Sequence, residues 1–475
     1  MNQQSLIIKA SVLLAFLLSC VFYAEAQRGE PAWVKQVGSK TKPSGTKTFY
    51  VNEFGAKSDG LSLSTKAIQS AIDNCAEKGG GVVCFEKGKY LTGSLFVKKN
   101  VTLLIDSGVL IMGSQNLLDY PDIDTRVAGI EMIWPAALIN VLDQDNVKIC
   151  GKGIVDAQGS PFWENYAKMR REYTPKDLRW VVDYDCKRPR TMLVSRSSNV
   201  TLQGLTLQRA GFWTVQVLYS SDVTVDGLII RNNIGGHGPS TDGVDIDSST
   251  RVLVENCDID CNDDNFCLKA GRDADGLRVN RPCEYVVIRN CVAGAGGGLI
   301  TCGSETSGSI RNIWVENLSA KGTQVGFRVK SALTRGGVVE NIFLNNIVMQ
   351  DVAVPIEVTT NWNPSYSYST LPEGYNYDSV PDHWRKLVDK VVPASAGIPV
   401  FRKIYVNNLK AVGARRALSV SGMKESVIDG FYFNNVRIEA RSAGNIKFSR
   451  NWIFNNVEII APDTLIISDC SDIKL

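Results

Sequence analysis

The sequence predicts an all-β fold, a stacked β-solenoid with an N-terminal helical cap. Three observations carry this reading. First, from about residue 140 the chain keeps restating one phrase: a β-branched or aromatic residue, then, four positions on, Gly or Asn. It reads VKICG to Gly151, VTLQG to Gly204, VTVDG to Gly227, VLVEN to Asn256, VVIRN to Asn290, IWVEN to Asn317 and IFLNN to Asn346. It resumes as IYVNN to Asn408, FYFNN to Asn435 and WIFNN to Asn456. Second, the steps between Gly204 and Asn346 are 23, 29, 34, 27 and 29 residues, and the later ones 62, 27 and 21. Third, the repeated runs are short and alternating, with no good helical period. One such coil cannot bury its apolar side alone, so coils stack and share a core. A β-propeller blade would be longer, about 40–45 residues.

Taken in chain order, residues 1–26 read as a secretory leader. Lys9 is a short basic region, Ala10 to Tyr23 is apolar, and Ala24-Glu25-Ala26 is a small-x-small cleavage site. Leu17-Leu18-Ser19-Cys20 also fits a weak lipoprotein box, so a lipid tether at Cys20 is a second option. No other stretch is apolar enough to span a bilayer, which places the mature chain outside the cytoplasm, secreted or periplasmic. Residues 27–475 then form one domain. Its cap covers about residues 47–100, where Ser64 or Thr65 starts a helix, Ala67, Ile68, Ala71 and Ile72 face inward, and Gly79-Gly80-Gly81 ends it. The coils follow, and their repeated turn Asn can hydrogen-bond its copies above and below, a structural role. The step of 62 residues marks a long insertion or a skipped coil. Segment 361–385, NWNPSYSYSTLPEGYNYDSVPDHWR, fits no coil and opens an inserted loop of about residues 361–398.

Composition excludes some functions. The net charge of +3, from 52 basic and 49 acidic residues, argues against nucleic-acid binding. Twelve cysteines, eleven beyond the leader, match no zinc spacing and are read as core thiols with one or two bridges. A monomer with no cofactor is expected.

The chemistry gathers in two stretches. In CNDDNFCLKAG, Asp263 and Asp264 are adjacent. A strand would turn one of them inward, where an unpaired carboxylate is costly, so the pair belongs at a turn or strand edge. In GPSTDGVDIDSS, Asp242 lies 21 residues before Asp263, about one coil away. Stacked strands sit about 4.8 Å apart, so three carboxylates converge. The segment offers no alternating oxygen-ligand loop for calcium, and no metal is assigned. One coil further, GAGGGLITCGSE supplies Gly297 and Gly298, which let a substrate approach the backbone. Beyond it Arg328 and Lys330, two apart, share a strand face and suit an anionic group. Crowded carboxyls raise at least one pKa, so one acid can stay protonated while another activates water. That pairing suits glycoside hydrolysis.

These motifs resemble glycoside hydrolase family 28, the polygalacturonase family of right-handed parallel β-helices. Ser240-Thr241-Asp242 resembles its Asn-Thr-Asp motif, Asp263-Asp264 is similar to its Asp-Asp, and Arg328-Val329-Lys330 to its Arg-Ile-Lys. FGAKSDG and AIQSAID resemble the cap of the same superfamily. The resemblance implies an inverting, metal-free mechanism on a pectic poly- or oligosaccharide. It implies Asp263 as general acid, Asp242 and Asp264 as the pair that activates water, and Arg328 and Lys330 as binders of a galacturonate carboxylate. The motif histidine is missing, its place falling at Gly297 or Gly298. His237, just before Asp242, is the candidate substitute. Retention of Arg328 and Lys330 favours galacturonate over rhamnogalacturonan in the cleavage subsite. Lys187, Arg188 and Arg190 are candidate contacts to a flanking uronate, and Trp362, Tyr366 and Tyr368 are candidates to wall off the groove, which would make the enzyme exo-acting. Two alternatives stand: a polysaccharide lyase with calcium on the acids and Lys330 as base, and a non-catalytic glycan-binding β-helix.

Overall fold

The computed structural model describes residues 29–475. The leader, its cleavage site and Cys20 lie outside the described residues. The chain winds as a parallel β-helix whose strands form one long sheet of 22 strands and another of 12. The repeated phrase supplies the inward row of the longer sheet. Val200 pairs with Val223, then Val252, Val286, Ile313, Ile342, Ile404 and Phe431, one coil after another. The step of 62 residues is therefore a single coil with an insertion, since Ile342 pairs directly with Ile404.

The Asn at the end of each phrase sits in left-handed backbone, φ 52–57° from Asn256 to Asn456. Asn tolerates this region better than most residues. Its side chain then bonds along the helix axis. Asn317 donates to Asn290 at 3.1 Å, Asn346 to Asn317 at 3.1 Å, Asn408 to Asn346 at 3.1 Å and Asn435 to Asn408 at 3.2 Å. Inside the coils one apolar column runs from Phe49 to Trp452. The helix Thr65–Glu77 closes its first end with Ile68, Ala71, Ile72 and Cys75. Ser64 is the N-cap, its carbonyl accepting from the Ile68 amide at 3.0 Å, but its side chain makes no capping bond: Ser64 Oγ accepts from the Lys57 amide (2.9 Å) and Thr65 Oγ1 from the Gly93 amide (2.8 Å). Coiling begins within the cap region, where Thr48–Tyr50 pairs with Gly81–Cys84 and that strand with Val101–Leu104.

Two expectations need correction. All eleven described cysteines are free, not bridged. Most are buried thiols on the coils, with Cys75 on the cap helix, and the Cys257 amide donates to the Cys291 sulfur at 3.4 Å. Helices are also more numerous than the absence of helical periodicity implied. Among the described residues, besides the short helix Asp273–Val279, three larger insertions leave the coils: a hairpin of Asp122–Val127 against Ile130–Pro135, the helices Ser160–Tyr173 and Val182–Asp185, and the segment 361–398 with its helices Pro364–Ser367 and Asp382–Val388. They bury a second apolar cluster of their own, including Val127, Trp134, Trp180, Tyr184 and Trp384, against Phe212 and Trp213 of a coil turn. Tyr184 Oη donates to the Ala128 carbonyl at 2.7 Å, and buried Arg272 donates to the Tyr366 carbonyl at 2.9 Å. The insertions thus form one wall beside the shorter sheet.

Candidate active site

The shorter sheet presents its outward side chains to this wall. Its strands alternate strictly. In Val244–Asp247, Val244 and Ile246 face the core, so Asp245 and Asp247 face out. Register stacks Asp245 under Cys267, then Thr301, Arg328 and Glu357. Just before each strand a tight turn adds the motif acids. Ser240 at φ 54° turns the chain into Asp242. Val244 pairs with Phe266 and the Gly243 amide bonds the Asp264 carbonyl (2.9 Å), so Asp264, not Asp263, lies directly above Asp242. One coil on, the Asn265 amide bonds the Gly298 carbonyl at 2.7 Å, which seats Gly298 above Asp264.

A cavity of about 220 Å³ opens here, lined among others by Asp242, Asp263, Asp264, Gly297, Arg328 and Lys330. Oxygens of Asp242 and Asp264 and the Cys267 sulfur all lie within 4.8 Å of one another. Asp264 is buried and fully engaged. Lys330 Nζ donates to its Oδ2 at 2.9 Å, while Thr301 Oγ1 donates to its Oδ1 at 2.8 Å and Arg328 at 3.4 Å. Burial alone would raise its pKa, but Lys330 and Arg328 outweigh burial and hold it below the usual carboxylate range. Asp263 is only half-buried. Burial and then the Asp264 charge push its pKa up, against Lys330. Asp242 is also raised well above the usual range, by burial, Asp245 and Asp263. The acids therefore divide, with Asp264 ionised and Asp263 inclined to keep its proton.

Arg328 and Lys330 are braced: Arg328 Nε donates to Glu357 at 2.8 Å, and Lys330 Nζ stands 4.5 Å from the Trp362 ring centre. A side chain in the missing histidine's place would be crowded at Gly297 and would clash at Gly298, where a Cβ would stand 2.4 Å from Thr301 Oγ1. A Cβ on Gly297 would stand 3.3 Å from Oδ1 of both Asp263 and Asp264, and one on Gly298 2.8 Å from Asp264 Oδ1. His237 does not fill the gap. It is exposed, bonds Asn233 at 3.1 Å, and lies outside the cavity lining. The basic run also points elsewhere. Lys187 pairs with Asp122 at 2.7 Å, Arg188 with Asp183 at 3.2 Å, and Arg190 donates to Gln216 at 2.5 Å. Both arginines are fully buried. Of the loop aromatics, Trp362 and Tyr366 line the cavity, while Tyr368 bonds Asn361 within its own segment.

Sequence reasoning passed over several lining groups. Lys269 and Glu305 sit at the cavity floor, Trp213 flanks them, and Arg179 and Asp183 come from the wall. The signal for Lys269 and Asp245 was present: in VDID and FCLK the residues alternating with the core ones must face outward, beside the motif acids. Glu305 and Arg179 had no comparable local signal.

Comparison with known proteins gives the chain's family. The model of glycosyl hydrolases family 28 matches residues 108–374, more than half of the chain. The chain is similar to a probable polygalacturonase of Vitis vinifera, 28% identical over 78% of this chain and 75% of the relative. It is also similar to an exo-poly-alpha-D-galacturonosidase of Dickeya chrysanthemi, 26% identical over 86% of this chain and 70% of the relative. The fold matches that of a hyperthermoactive exopolygalacturonase from Thermotoga maritima, with TM-score 0.74 and 24% identity over 90% of this chain and 94% of that one. With its parallel β-helix and its Asp-Asp and Arg-x-Lys rungs, the chain belongs to glycosyl hydrolases family 28 and is a glycoside hydrolase.

Proposed function

We propose that this enzyme hydrolyses galacturonate linkages of pectic chains with inversion, taking units from a chain end. The observation that carries the reading is the division of labour among three acids in one cavity. Asp264 is paired with Lys330 and Arg328, Asp242 lies within 4.8 Å of it, and Asp263 is half-buried beside both. Asp263, proton retained, donates to the leaving glycosidic oxygen. A water between Asp242 and Asp264 fits, since 4.8 Å lets one oxygen hydrogen-bond to each carboxylate. The ionised carboxylate of this pair takes up its proton as the water attacks the anomeric carbon from the far side, which inverts the configuration. Arg328 and Lys330 have donors beyond those given to Asp264 and Glu357, and these suit a uronate carboxylate.

The exo preference rests on the wall. Ala128 of the hairpin, Arg179 and Asp183 of the helical insertion, and Trp362 and Tyr366 of the inserted segment all line the same cavity. The relative named as an exo-poly-alpha-D-galacturonosidase supports the same reading. A leader over residues 1–26 fits work on a polymer outside the cytoplasm.

Product analysis on a panel of defined oligogalacturonides tests the proposal. The expected result is stepwise release of galacturonate from one end, with inverted configuration and no ultraviolet-absorbing product. Unsaturated products would replace the reading by a lyase, and a ladder of mid-sized fragments would remove the exo preference.

A further inference from the structure

Lys269 takes no part in the steps just described, yet its ammonium stands among the acids. Nζ lies 3.5 Å from Asp245 Oδ1, 3.6 Å from Glu305 Oε2 and 3.8 Å from Asp242 Oδ2. All three exceed the roughly 2.7–3.2 Å of an N–H···O bond, so the cation is shared and not committed to one acid. Trp213 holds it from the side, ring centre 4.9 Å away. A buried lysine needs only one carboxylate for its own burial, and here three crowd it. They are not equivalent. Burial pushes Asp245 up to about 8, and neither of its oxygens has a hydrogen-bond partner, so it is neutral at mild pH. Glu305 is held below the usual range in spite of burial, by Lys269 and Arg335. Asp242 is also raised, by burial, Asp245 and Asp263, and Lys269 is the cation that opposes this rise while it answers Glu305.

We propose that Lys269 is a positioning residue that draws Asp242 toward the carboxylate form beside Asp264, against its burial and the neighbouring acids, and that Glu305 sets how much of the lysine's charge Asp242 receives. The inference rests on the hydrolase reading, in which Asp242 must be able to take a proton from water. Asp242 is faced by Asp245 on its own strand and by Asp263, Asp264, Cys261 and Cys267 from the coil above. Arg328 and Lys330 answer Asp263 and Asp264 from further up, Arg335 lies behind Glu305, and Arg179 and Asp183 line the cavity from the wall. Lys269 is the one of these cations that forms an ion pair with Asp242 among the described residues.

The test is the pH profile of kcat/KM on a defined galacturonate oligomer. In Lys269→Met, Asp242 loses its cation and holds its proton to higher pH. The acid limb should move up by about one pH unit, a roughly tenfold loss at a fixed pH on that limb. KM should change much less than kcat. Glu305→Gln removes the competing anion, so its acid limb should move down. Lys269→Arg keeps the charge and should return the limb toward the wild-type position. Opposite shifts support the proposal, because damage to the fold has no reason to change sign between the two variants. Equal shifts, or lower kcat on an unmoved limb, overturn it. If Lys269→Met does not fold, the isosteric Glu305→Gln decides alone: no downward shift overturns the proposal. Wild-type protein that cleaves no galacturonate bond would instead defeat the proposed function.

Discussion

At the scale of single residues, the site works by giving neighbouring carboxyls different charge states. Asp263→Asn removes the proposed proton donor and keeps its shape. We expect kcat to fall by about 10²–10⁴-fold with KM little changed, measured by reducing-end release; retained activity would reassign the acid. Asp245 makes a separate prediction about stability. Unfolded, its carboxyl loses its proton near pH 3.9, whereas folded it holds it to about 8. Between those values folding takes up a proton, so this group's contribution falls as pH rises through the window and is lowest above it. Asp245→Asn does not titrate. Its melting temperature should exceed that of wild type by more at pH 8 than at pH 5, through a term on the order of a few kcal/mol. A gain independent of pH would refute the assignment. Asp242, Asp263, Asp264, Arg328 and Lys330 were legible in the sequence because spacing by whole coils becomes proximity. Pairing of Asp264 with both cations was not, because it depends on how far three side chains reach across two coils. His237 misled because nearness to Asp242 along the chain says nothing of direction, and its loop points into solvent.

At the scale of the element, one coil differs from the next mainly in what its turns carry. The recurring Asn was readable because a left-handed turn position repeats with the coil. Its hydrogen-bond ladder follows from stacking at strand spacing. Asn346 sits mid-ladder at φ 57°, donating to Asn317 and accepting from Asn408, each at 3.1 Å. Asn346→Ala forfeits both bonds and puts in left-handed backbone a residue without the short polar side chain that lets Asn tolerate it. The expected loss is about 2–5 kcal/mol, from roughly 0.5–1.5 for each of two net hydrogen bonds and 1–2 for the backbone. Asn346→Gly removes the same bonds without the backbone term and should cost less. Denaturant melts of the two variants check this, and equal losses would show that the turn conformation carries no cost. The insertions were not legible in the same way. Residues 160–173 bury only Phe162, Trp163 and Tyr166, too sparse a stripe to stand out between coils.

At the scale of the whole molecule, the enzyme is two packed bodies with different origins of order. The coil column is continuous from Phe49 to Trp452, while the wall rests on its own cluster and touches the coils chiefly through Phe212 and Trp213. Trp384 joins the parts of that wall. Its ring meets Trp180 edge-on at 5.5 Å, and its Nε1 donates to Asp185 at 2.9 Å. Truncating a buried tryptophan costs about 3–5 kcal/mol, and here the loss falls on the wall, since no residue of the coil column packs in the same cluster. Trp384→Ala should therefore raise amide hydrogen exchange in 122–135, 160–187 and 361–398 while the coil strands keep their protection. The acids and Lys330 stand on the coils and should still cut. If the wall is what confines cleavage to a chain end, the same variant should release longer oligomers beside the monomer from a long galacturonan. Unchanged monomer release from a loosened wall would mean that the coils themselves set the end preference.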